Sequence, residues 1–162
     1  LFADCGAFSY VKMEKPPYLV DDTIEFYEDG QFTHGCSIDH VIFDFFQDEP
    51  PKESISSSVY DRYQITLENA SNFIRECKKQ KVRFSPIGIV QGWSPKSMAE
   101  ATKKLIAMGY QYIAIGGMVP LTSSSILKVL DALPRMFIDS TPIPSNKHTG
   151  NTCRYTRHQD KC

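Results

Sequence analysis

The sequence predicts an α/β fold with a parallel sheet, on three observations. Near-continuous apolar runs recur at residues 40–46, 84–90 and 110–115, the pattern of parallel strands covered on both sides. Between them lie stretches whose apolar residues repeat with the helical period. Strand and helix alternate, and residues 92–117 make one period of about 25 residues, the spacing of a βα unit.

Taken in order, Leu1-Phe2-Ala3 reads as the inside of a first strand, and because it opens the chain without a Met a fragment is expected. The link from 7 to 38 is mixed, with Lys15-Pro16-Pro17-Tyr18 and Asp29-Gly30, and suits a loop carrying a short helix near residues 23–27. The second strand is placed at 40–46. A helix follows over 58–79: Val59, Tyr63, Leu67, Ala70, Phe73, Ile74 and Cys77 share a face, and a Lys/Arg-rich last turn complements the helix dipole. The third strand, 84–90, runs into Gln91-Gly92. Ser94 as N-cap and Pro95 at the first helical position open a helix over 94–108, which carries Met98, Ala101, Leu105 and Met108 on one face and stops at Gly109. The fourth strand, 110–115, ends in Gly116-Gly117. A Thr-Ser-Ser cap opens a helix over 122–133 with Ile126, Leu127, Leu130 and Leu133, and a weaker fifth strand is placed at 136–143. A complete eight-unit barrel takes ~250 residues, so four to five βα units are either part of a barrel or a small open sheet. Residues 1–144 are assigned to this domain, and 145–162, almost without apolar residues, to a polar tail expected to be disordered.

The 162 residues, 41% of them hydrophobic, suffice for one domain with a sizeable core. No run of ~18 apolar residues and no charged-then-apolar leader is visible, so neither a transmembrane helix nor a signal peptide is read, and a cytoplasmic protein is expected. Cys5, Cys36, Cys77, Cys153 and Cys162 are scattered, without CxxC, and fit reduced thiols better than a disulfide framework. With a net charge of -1, the phosphates of any nucleic-acid partner must meet a local basic patch.

Each clear strand has polar or glycine residues toward the carboxyl edge, where α/β folds place their sites. These are Asp4-Cys5-Gly6, Asp44 within Ile42-Phe43-Asp44-Phe45-Phe46, Gln91-Gly92 and Gly116-Gly117. Burying Asp44 between aromatic residues without a partner would be costly. Two readings stand for it: a structural Asp that caps a turn, or a carboxylate that accepts the N1–H and exocyclic amine of guanine. Gln91 and the backbone N–H groups of Gly116 and Gly117 are donors suited to the carbonyl of such a base, although glycine there equally serves a turn. Phe8 either stacks on a flat ligand or joins the core.

In this order and at these spacings, "FADCGAFSY", "HVIFDFF", "PIGIVQGW" and "YIAIGGMVPL" resemble the central part of the guanine transglycosylase superfamily, over about residues 1–143. The resemblance implies a (β/α)8 TIM barrel, present here in part, and the exchange of guanine in a nucleic acid for a 7-deazaguanine. Gly6-Ala7-Phe8-Ser9-Tyr10, Pro16-Pro17-Tyr18 and Met118-Val119-Pro120-Leu121 are closer in wording to the DNA-acting enzymes than to the tRNA-acting queuine and archaeosine enzymes. Ala7, where tRNA-acting members usually carry a second Gly, points the same way. By resemblance Asp4 is catalytic, lying against base and sugar and assisting proton movement, and Phe8 sandwiches the base. Asp44 reads the amidine edge, Gln91 and Gly117 donate to the carbonyl with Gly116 beside them, and Met118 forms part of the pocket wall. The implied partners are nucleic acid, DNA before tRNA, and the guanine and 7-deazaguanine bases. Neither a cofactor nor a membrane partner is implied.

The family mechanism resembles displacement at C1′ by an aspartate on a later strand, after a further βα unit. Asp139 in "FIDSTPIP" has a similar context, yet it stands only about 22 residues beyond Gly117 and better fits the start of the preceding strand. The nucleophile is therefore expected to be missing and the chain alone inactive. His148, Cys153, His158 and Cys162 lack the paired spacing of a structural zinc site, so no metal is expected. The alternatives are a tRNA-acting homologue and a catalytically inactive binding fragment.

Overall fold

The computed structural model describes residues 1–134. Its elements are β1 (Phe2–Ala3), α1 (Val20–Asp29), β2 (His34–Cys36), α2 (Ser57–Gln80), β3 (Ser85–Val90), α3 (Pro95–Met108), β4 (Tyr112–Ile115) and α4 (Ser123–Ala132), with 3-10 turns at Ala7–Tyr10 and Lys52–Ser54. The fold is α/β. The strands pair in chain order, β1-β2-β3-β4, all parallel and each joined to the next through a helix. In-order pairing is that of a barrel laid open, whereas a doubly wound sheet reverses its order at a switch point. Among the described residues the sheet does not close into a barrel.

Local chemistry sets the helix ends. The Ser56 side chain accepts from Val59 N and starts α2, which stops at Lys81 in a left-handed conformation. Ser94 and Ser97 cap α3 reciprocally, with Pro95 behind them, and Gly109 ends it at φ 98°. Thr122 caps α4. Lys78 Nζ donates to Met108 O at 3.2 Å, tying the end of α2 to the end of α3.

The helices cover one face of the sheet. Val90, Met98, Ala101, Leu105, Tyr110 and Val129 pack against Tyr63, Leu67, Ala70 and Ile74 of α2. A second cluster joins Ile24 and Tyr27 of α1 to Phe73 and Cys77 of α2 and to Phe84. Burying a Leu or Phe side chain of this kind stabilises the fold by about 1.5–3 kcal/mol. The opposite face is thinly covered: Cys36, Ile87 and Ile89 make a small cluster with Ala114.

Two expectations are corrected. The second strand is His34–Cys36, not 40–46, and α1 covers ten residues rather than 23–27. After Ser37, whose N–H donates to Ile87 O at 2.9 Å, the chain leaves the sheet and crosses the end of β3. There Ile42 N donates to Gln91 Oε1 at 3.1 Å and Phe46 N to Trp93 O at 2.7 Å. The run is apolar because Val41 and Ile42 are buried, and periodicity alone does not separate a buried extended loop from a strand. The fifth strand at 136–143 and the tail at 145–162 lie outside the described residues.

Candidate active site

All four strands end at one edge, and there a cleft of about 500 Å³ opens. Its polar groups are Asp4, Asp39, Gln91 and the Gly116-Gly117 backbone, while Phe8, Phe43, Val119 and Pro120 form an apolar rim. Another hollow, about 360 Å³, lies at the amino ends of β3 and β4. Parallel α/β sheets bind ligands at the carboxyl ends of their strands, which favours the first.

Asp39 organises the cleft. It is 4% exposed, the one buried carboxylate among the described residues. Gln91 Nε2 donates to its Oδ2 at 2.6 Å and Cys5 Sγ to its Oδ1 at 3.0 Å. Tyr10 Oη donates to its carbonyl at 3.0 Å. Burial raises the Asp39 pKa, with a smaller push from the Asp4 charge, while the bonds from Cys5 and Gln91 pull it down. The same environment pushes the Cys5 thiol up to about 12, through burial first and then the Asp39 charge.

Gln91 is held at both ends of its amide, by Asp39 at Nε2 and by Ile42 N–H at Oε1. This fixes which atom is nitrogen and leaves one Nε2 hydrogen uncommitted. Both glycines are needed for that placement. A Cβ on Gly116 would collide with the Gln91 amide, and one on Gly117, at φ 71°, would come within 2.8 Å of Ile42 O. Gly116 N–H donates to Val90 O at 2.8 Å and is spent there. Gly117 N–H has no partner among the described residues.

The residues named from sequence divide accordingly. Asp4, Phe8, Gln91, Gly116 and Gly117 come together at the cleft. Asp4 is exposed and accepts from Gly6 N at 3.3 Å; Phe8 is 76% exposed, its ring edge-on to Phe43 at 6.4 Å. Asp44 does not line the cleft and is exposed, so the premise of a carboxylate buried between aromatic residues is corrected. The reason is the position of β2: its carboxyl edge falls at Ser37–Asp39, several residues before Asp44. Met118 packs half-buried against the main core, and Val119 and Pro120 stand where it was expected. Asp139 lies outside the described residues, as do the four His and Cys of the tail. Among the described residues, no group of three or more His, Cys, Asp or Glu is arranged to hold a metal ion.

Asp39, Cys5, Tyr10 and Phe43 were not singled out as site residues. Asp39 had a weak signal, as a carboxylate just before the apolar run that begins at Val41. Cys5 had only its place in Asp4-Cys5-Gly6 at a strand end and Tyr10 had no signal, because the partner of both lies 29–34 residues away.

A polar-floored, apolar-rimmed cleft at the carboxyl edge of a parallel sheet has the form of a small-molecule site. No family model matches the chain. It is 42% identical over 144 residues, 86% of its own length, to the DNA-guanine transglycosylase of Salmonella montevideo. The chain spans about a third (33%) of that relative. The chain belongs to the guanine transglycosylase superfamily. Among the described residues no helix is long and apolar enough to cross a membrane.

Proposed function

We propose that the cleft binds a guanine or 7-deazaguanine base as the recognition half of a base-exchange transglycosylase acting on nucleic acid. The observation that carries this reading is the buried Asp39 fixed between Cys5 and Gln91 at the cleft floor. With a donor already on each oxygen, the remaining lone pairs of the carboxylate suit two parallel donors, such as N1–H and the exocyclic amine of guanine. The free hydrogen of Gln91 Nε2 and the Gly117 N–H serve the base carbonyl, and Phe8 stacks on its face. The role first given to Asp44 passes to Asp39. Asp4, exposed at the same cleft, assists proton movement beside the sugar.

DNA is the favoured nucleic acid, supported by the name of the Salmonella relative. The carboxylates lining the cleft among the described residues are Asp4 and Asp39, and Asp39 is committed to the base. Displacement at C1′ needs a further carboxylate in line with the leaving base, and the described residues supply the recognition half of that reaction.

Two measurements test the reading. Calorimetric titration of the 162-residue chain with guanine should show binding weakened in Asp39→Asn by about 1.5–3 kcal/mol, the range for a hydrogen bond to a charged group. Asp44→Asn should change nothing; equal affinity of parent and Asp39→Asn would remove Asp39 as the reader. Release of labelled guanine from DNA and from tRNA, assayed separately, should be absent with either substrate. Turnover that Asp139→Asn abolishes would make Asp139 the nucleophile.

A further inference from the structure

Cys5 lies beneath the cleft rather than in it, 8% exposed, immediately after the exposed Asp4. Its Sγ stands 3.0 Å from Asp39 Oδ1 and 3.2 Å from the Tyr10 hydroxyl. The Tyr10 hydroxyl has one proton and gives it to the Asp39 carbonyl at 3.0 Å, which leaves the thiol proton for the carboxylate. We propose that Cys5 is a positioning residue of base recognition: its S–H, donated to Asp39 Oδ1, keeps the carboxylate charged and turned so that its open lone pairs meet the donor edge of a base. This rests on the assignment of Asp39 as the reader.

The environment of Asp39 makes that donor matter. The groups facing it are Asp4 and Cys5 beyond β1, Tyr10 in the 3-10 turn, Cys36 on β2, the adjacent His40 and Gln91 beyond β3. Burial lowers the His40 pKa, so it is neutral near pH 7, and Arg62 of α2 spends its guanidinium on the carbonyls of Val41 and Val11. Asp4, of like charge, adds to the cost of ionising Asp39. Two side-chain donors, Cys5 and Gln91, oppose that cost. Without the thiol, Asp39 takes a proton more readily, and a neutral carboxyl presents an O–H that cannot accept from two base donors. With its pKa pushed up to about 12, the thiol retains its proton throughout the neutral range.

The test is guanine binding to the 162-residue chain as a function of pH, for parent, Cys5→Ser, Cys5→Ala, Cys5→Val and Asp39→Asn, with thermal melts to confirm folding. Cys5→Ser retains an O–H donor and should stay within about threefold of the parent at every pH. Cys5→Ala and Cys5→Val should bind about tenfold more weakly at pH 7, and the pH below which binding is lost should move upward. A merely structural Cys5 would change affinity without moving that limb and without rescue by Ser. Donor-less variants with the parent profile, or a Ser variant as weak as Ala, overturn the positioning role. If Asp39→Asn loses guanine while Cys5→Ala and Cys5→Val do not, Cys5 alone is excluded. If the parent takes up no guanine, the base reading falls and the role of Cys5 with it.

Discussion

Val90 and Gln91 are neighbours at the end of β3, fully buried and 2% exposed, and they point to opposite sides of the sheet. Val90 enters the helix-covered core among Met98, Ala101 and Leu105, where transfer out of water stabilises it without any directional bond. Gln91 reaches the cleft, where burial of its amide is offset only by hydrogen bonds from Ile42 and to Asp39, 49 and 52 residues away. Equal burial therefore has opposite tolerances. The core accepts any side chain of similar volume and polarity, whereas the carboxyl edge depends on single atoms held by distant segments.

Truncating the core should give the largest effect on stability. Phe73 is fully buried and touches Tyr27 and Phe84, so Phe73→Ala should cost about 3–5 kcal/mol in urea denaturation while guanine affinity per folded molecule is retained. If affinity fell in proportion to stability, the two regions would be one cooperative unit and the contrast would fail. Gly116→Ala makes the complementary break at the edge. The new Cβ must displace the Gln91 amide, for about 1–3 kcal/mol of strain, and guanine binding should be lost in a chain that still melts cooperatively. Unchanged affinity would show that Gln91 does not serve the base.

The smallest effect is in the pH dependence of stability. Asp39 has a raised pKa in the folded chain, so the stability linked to its proton is present below the ordinary value of 3.8 and is lost as pH rises through the folded value. His40 has the opposite sign: its pKa is lowered, so its contribution is present above 6.5 and is lost as pH falls through the folded value. Melting temperatures of parent and Asp39→Asn across the acid range should differ in slope, the parent losing stability relative to the variant as pH rises. Parallel curves would mean that charging Asp39 costs nothing in the fold.

The long helices were legible because their signals are local: the apolar rhythm of α2, the Ser94-Pro95 start of α3 and its Gly109 stop act within a few residues. β3 and β4 were legible as apolar runs bounded by Gln91-Gly92 and Gly116-Gly117. β2 was not, because His34-Gly35-Cys36 is short and scarcely apolar, and its three residues are specified by pairing with β1 and β3. That displacement set the strand-end carboxylate at Asp44, whereas the one that lines the cleft is Asp39. By itself the sequence determined the alternation of elements and the edge at which the polar groups gather, since each depends on period, caps and strand ends. Which carboxylate is buried, and that a thiol and an amide hold it, only the tertiary structure decided: Cys5, Asp39 and Gln91 are separated by 34 and 52 residues, and hydrogen bonds at that range leave no periodic trace in a chain.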